Sequence, residues 1–156
     1  MTTTAPIPAP APAPTTNGRV VALAHYASRA LLERALTRHG ATFQQNVTLQ
    51  VLVTAGKSMG HDDLVDGVTD SLKVDASVVR DVIEELTATK LLEQDPADAS
   101  RIRLTDAGRK LHATTSAEAA QIAARLYAGI PAEDLATAGR VLTLVTERAN
   151  TELAKA

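Results

Sequence analysis

Apolar residues recur at helical spacing along most of this chain. Val20, Leu23, Ala24, Ala27, Ala30, Leu31, Ala35 and Leu36 fall three or four residues apart, the period of one helix face, and Gly40 stops that helix. Thr42 is placed to cap a second helix carrying Val47, Leu49, Val51, Leu52 and Val53, after which Gly56 and Gly60 bracket a turn. A third helix is predicted from about His61 to Leu72, with Leu64, Val65, Val68 and Leu72 inward. Lys73 and Val74 make a short turn. Asp75, or less well Ser77, then caps a fourth helix that carries Val78, Val79, Val82, Ile83 and Leu86. Two helices of about a dozen residues joined so tightly suggest a helix-turn-helix.

The period then changes. Leu91 and Leu92 begin an extended segment, Asp95-Pro96-Ala97-Asp98 makes a turn with proline second, and Arg101, Ile102, Arg103 and Leu104 alternate polar and apolar as a strand does. A helix-turn-helix followed by a two-stranded hairpin is a winged helix. Thr105 and Asp106 open a long helix running to about Ala128, and Gly129-Ile130-Pro131 breaks it. In the last helix Leu135, Ala138, Leu142, Val145, Ala149 and Leu153 form one stripe of about five turns. One small lobe does not cover this stripe together with that of the first helix, so both point to a two-fold dimer interface. The expected fold is mostly α with a small β-hairpin wing.

Composition sharpens this picture. Residues 2–18 alternate Pro and Ala between Thr-rich ends, which predicts a disordered or polyproline-like arm, a solubilising tail or alternatively an SH3-type ligand. The remaining apolar residues are mainly Ala, Leu and Val, with one Phe, two Tyr and no Trp, which suits closely packed helices. There is no cysteine, so disulfides, thiolate zinc sites and thiol redox sensing are excluded. The N-terminus lacks the basic start and apolar run of a signal peptide, and no stretch approaches the roughly 18 apolar residues of a membrane span. The expected location is the cytoplasm.

The segment DPADASRIRLTDAGRKL (Asp95 to Leu111) resembles the wing and following helix of the MarR family of bacterial regulators, with their DP-x-D-RR turn, basic strand and LT-x-AG. VDASVVRDVIEEL (Val74 to Leu86) resembles that family's recognition helix, and the order of elements agrees over roughly residues 20–153. The resemblance implies a domain over residues 19–156, with a winged-helix lobe at about 42–110 and dimerisation helices at about 19–40 and 106–154. It further implies a homodimer that binds duplex DNA and a small, often aromatic or anionic, molecule between the two regions. The departures all remove positive charge or add negative charge. Asp81 stands where the family commonly has Arg or Thr, Glu85, Thr89 and Gln94 stand near frequent basic positions, and Ala99-Ser100 replaces the paired wing arginines.

Charge makes this quantitative. The whole chain has a formal charge of −2, but His61 to Gln94 holds nine acidic side chains against Lys73, Arg80 and Lys90, a local charge of −6. Duplex DNA carries a negative charge about every 1.7 Å of its axis, so this unit is repelled before it reads anything. The candidate DNA-binding residues are Ser77 and Arg80 on the recognition helix, Lys90 after it, and Arg101 and Arg103 on the wing, with Lys57 and Lys73 as further phosphate contacts. A plain structural role for Arg80 is a pair with Glu84, four residues on, worth a few tenths of a kcal/mol.

Positive charge gathers instead on the first helix, where Arg19, Arg29, Arg34 and Arg38 face a single acid, Glu33. By resemblance this helix walls the ligand cavity, which makes His25, Tyr26 and Arg29 candidates for an anionic or phenolic ligand. Surface or dimer-interface roles explain the same residues. His61, Asp62 and Asp63 are a weak metal motif and His112 reads as a structural polar residue, so no metal or cofactor is expected. No nucleophile elbow, phosphate loop, HExxH or dinucleotide fingerprint occurs, and catalysis stays undecided. Two further readings remain beside the regulator: a scaffold that has lost DNA binding and acts as a small-molecule binder or enzyme through His25, Tyr26 and Arg29, and a protein-binding module whose acidic face mimics DNA.

Overall fold

The computed structural model describes residues 15–56 and 58–155. Most of the Pro/Ala segment, Lys57 and Ala156 lie outside the described residues. Among the described residues, six helices and three short strands follow in the order α1 (Gly18–Arg38), α2 (Phe43–Ala55), β1 (Met59–Gly60), α3 (His61–Leu72), α4 (Ala76–Ala88), β2 (Leu92–Asp95), β3 (Asp98–Leu104), α5 (Asp106–Leu126) and α6 (Ala132–Leu153). Two compact units divide the chain, with the boundary between Thr115 and Ser116, inside α5. No helix among the described residues is long and apolar enough to cross a membrane.

The first unit is built on one core. Leu49 and Leu52 of α2, Leu64, Val65 and Val68 of α3, Val79, Ile83 and Leu86 of α4, and Leu92, Ile102 and Leu104 of the strands form a single buried cluster. Local chemistry sets the element ends. Asn17 caps α1, its side chain accepting from the Val20 N–H at 3.1 Å. Thr42 accepts from the Gln45 N–H at 3.2 Å, and the Gln45 side chain accepts from the Thr42 N–H at 3.0 Å. This reciprocal box satisfies two otherwise orphan donors. Lys73, at φ 54°, turns the chain between α3 and α4 in the left-handed region.

The β2–β3 hairpin of the wing is present, and β3 pairs antiparallel with β1 as well, giving a three-stranded sheet in the order β1-β3-β2. Gly60, assigned above to a turn, lies in β1 opposite Arg101. A two-residue strand carries no alternation, so its pairing is visible only in three dimensions. Asp75 occupies the N-cap position of α4, but its side chain makes no capping hydrogen bond. Val78 is 41% exposed, because α4 turns Val79, Ile83 and Leu86 to the core instead.

The second unit contains the remainder of α5 and all of α6. Gly129, at φ 77°, lets the chain reverse after α5, and the Pro131 carbonyl accepts from the Asp134 and Leu135 N–H groups to start α6. α6 buries no residue, and Val141, Leu142, Leu144, Val145 and Leu153 stand exposed along it.

Candidate nucleic-acid interface

The core fixes which side of α4 faces solvent. With Val79, Ile83 and Leu86 buried, Ser77, Arg80, Asp81 and Glu84 fall on the opposite side and are all exposed. Arg80 and Glu84 do not form the ion pair that their spacing allows, and among the described residues Arg80 has no salt bridge. Glu85 is held: its Oε2 accepts from Gln45 Nε2 of α2 at 3.3 Å. Lys73 is spent on Asp70, with Nζ and Oδ1 2.6 Å apart. Lys90 follows α4 in the left-handed region at φ 58° with its side chain exposed. Arg80 and Lys90 are therefore the two bases between His61 and Gln94 with no ion pair among the described residues.

The wing arginines are both engaged inside the lobe. Arg103 Nε and Nη2 donate to one oxygen of Glu93, its register partner on β2, at 2.9 and 2.8 Å. Arg101 Nε donates to Ser58 Oγ at 3.0 Å, and its Nη2 donates to the Ser58 carbonyl. Arg101 thereby ties β3 to the segment leading into β1. At the wing tip the acids keep their charge. The Asp95 carboxylate is held below its usual range by the Ala97 N–H and by a hydrogen bond with Ser58, and the Asp98 carboxylate by the Ser100 hydroxyl and N–H. The tip thus offers DNA two carboxylates and no cation.

Behind the wing, α5 is pinned to the end of α4. Thr105 Oγ1 donates to the Lys90 carbonyl at 2.7 Å and accepts from the Gly108 N–H at 3.0 Å. A Cβ on Gly108 would lie 2.1 Å from the Leu91 carbonyl oxygen, so only glycine allows this approach. Both residues belong to the LT-x-AG segment, where the signal for them was present without its geometric meaning.

The candidate ligand residues lie on α1. The His25 and Tyr26 rings meet edge to face at 5.4 Å, and both side chains are exposed. Arg29 is half-buried, stacked 4.2 Å over the Phe43 ring, with its Nε 2.9 Å from Glu33. Two clefts of the first unit are lined by other residues. One of about 720 Å³ runs from Thr87 and Lys90 past Arg103 to Arg109, and one of about 710 Å³ lies among Val53, Asp95, Leu104 and His112. His112 bonds to Gln50 Oε1 at 2.9 Å, and burial pushes its imidazole below the usual pKa. His61 Nδ1 and Asp62 Oδ1 are 3.5 Å apart, and among the described residues no group of three such side chains is placed to hold a metal ion.

No protein-family model matches this chain, and no curated protein matches its sequence. Solved structures do. A MarR-family transcriptional regulator from Rhodococcus sp. RHA1 superposes with a TM-score of 0.70 at 20% identity, over 83% of this chain and 92% of that one. The chain has the MarR-type winged-helix fold. Within that fold α3 and α4 form the helix-turn-helix and β2–β3 follow as the wing. Bordetella bronchiseptica BpsR, whose DNA binding is regulated by 6-hydroxynicotinic acid, gives a TM-score of 0.67 at 26% identity over 83% of this chain and 97% of its own. CouR from Rhodococcus jostii RHA1, bound to p-coumaroyl-CoA, gives 0.71 at 20% identity over 83% and 90%.

Proposed function

We propose that the chain is a dimeric cytoplasmic transcriptional regulator that binds duplex DNA through α4 and responds to a small anionic or aromatic ligand. The observation that carries this reading is the exposed face of α4, where Ser77 and Arg80 stand free of internal partners within a MarR-type lobe. Two supports come from elsewhere. BpsR, a fold neighbour, joins DNA binding to a small aromatic acid. The apolar stripe of α6 and the exposed Val20, Leu23 and Leu31 of α1 need a cover that a second copy of the chain supplies. Such a dimer presents two copies of α4, as two half-sites about 34–36 Å apart require. The ligand meets α1 near His25, Tyr26 and Arg29 and acts by shifting the population of lobe spacings.

The local charge of −6 makes the binding weak and selective rather than general. Ser77 and Arg80 face base edges. Lys90 touches phosphate. Arg101 and Arg103 contribute by holding the wing in shape and reach phosphate only from its edge.

Fluorescence anisotropy with labelled duplex from the upstream region of the chain's own gene, across a salt series, tests this. The regulator gives sub-micromolar binding that exceeds binding to a shuffled duplex and weakens with salt. No binding at low salt leaves the small-molecule binder, for which the acidic helix is the motivating observation.

A further inference from the structure

Arg80 and Glu84 stand about one turn apart on the solvent face of α4, and neither spends its charge on the other. A helix carrying an unpaired acid into a groove lined by phosphates gains only where a base offers that acid a donor. We propose that α4 reads a guanine with Arg80 and, nearly two base pairs away, a cytosine with Glu84. This assignment rests on the DNA-binding reading above and adds to it the base identities of the half-site.

The edge chemistry of the major groove selects these bases. Guanine shows two acceptors, N7 and O6, which match the donor fork of arginine. A carboxylate only accepts. Guanine and thymine present acceptors to it and repel it. Adenine offers its N6 amino group beside the acceptor N7, whereas cytosine offers its N4 amino group with no N7 alongside. Cytosine is therefore the base whose own edge offers Glu84 a donor and no acceptor. The spacing fits: four residues along a helix rise about 6 Å, against about 3.4 Å per base-pair step.

Glu85 is excluded from this role because Gln45 holds it. Arg101 and Arg103 do not compete for the bases, since Ser58 and Glu93 occupy them. Glu84, which shares the exposed face with Asp81, then has a purpose. It lowers affinity for duplexes that lack the donor, which widens the gap between right and wrong sites.

The test is selection of the full-length protein on a duplex library with a randomised core at low salt, sequencing what is retained. The wild type is expected to enrich a guanine and a cytosine about two steps apart. Glu84→Gln, which supplies both a donor and an acceptor, moves the second position from cytosine toward adenine by about tenfold and raises retention of unselected duplex. Arg80→Ala loses the guanine preference by about tenfold and keeps the cytosine. Both residues are exposed and outside the core, so folding is not in play. Enrichment of A·T pairs at both positions overturns the assignment, and so does an unchanged base preference in Glu84→Gln. Release of every duplex overturns the DNA-binding reading, and the base assignment with it.

Discussion

α4 and α6 are both amphipathic helices, and they differ in what covers their apolar side. α4 buries Val79, Ile83 and Leu86 in the core of its own unit. α6 is longer, at 22 residues, and buries none: Leu144, Val145 and Leu153 are 46%, 50% and 59% exposed. The same three-four spacing thus describes a finished contact in one place and an unmet demand in the other. Periodicity identifies an apolar face but not the surface that closes it. The exposed stripe of α6 is an argument for assembly, and the buried stripe of α4 an argument for fold.

Leu142→Asp with Val145→Asp places two charges in the stripe and is expected to weaken dimerisation at least a hundredfold while leaving the lobe folded, as read by light scattering beside circular dichroism. A protein that remains dimeric under this change assembles through another surface. Within the lobe, Leu86→Ala empties a fully buried site and should remove about 2–5 kcal/mol in urea denaturation without changing assembly. Gly108→Ala drives a methyl group against the Leu91 carbonyl and is expected to lose about 1–3 kcal/mol, unless α5 slides away from the end of α4.

The smallest effect is on pH dependence. Burial depresses the folded-state pKa of His112 below its unfolded value, so the neutral ring is favoured by folding. That contribution is complete above the unfolded pKa of about 6.5 and is lost as pH falls toward the depressed value. Thermal melts between pH 7 and pH 5 should show stability falling with acidification, and His112→Gln should flatten the trend. An identical trend in the variant assigns the acid sensitivity elsewhere.

Much of this was legible in the residues. The span His61–Leu72, the Thr42 cap and the turn at Lys73 follow from spacing and local propensity, and they appear where expected. The first helix begins at Gly18 under an Asn17 cap that its apolar period did not reveal. What stayed hidden depends on distant partners. β1 is two residues long and exists through β3, and Arg101 reads as a phosphate-contacting wing cation until Ser58, 43 positions away, is brought beside it. The Arg103–Glu93 pair needed the hairpin register. On α4 the exposed set was readable, because the buried residues alone decide its orientation, whereas the environment of His25, Tyr26 and Arg29 depends on tertiary neighbours such as Phe43.

In the proposed regulator, two copies of this chain, joined through their uncovered helices, place two α4 faces on one duplex. Native mass spectrometry of the complex with a duplex retained in the selection tests it most directly. Two chains per duplex are expected, and loss of the complex when Leu142 and Val145 are both changed to Asp. A complex containing one chain, or undiminished binding by that variant, would contradict it.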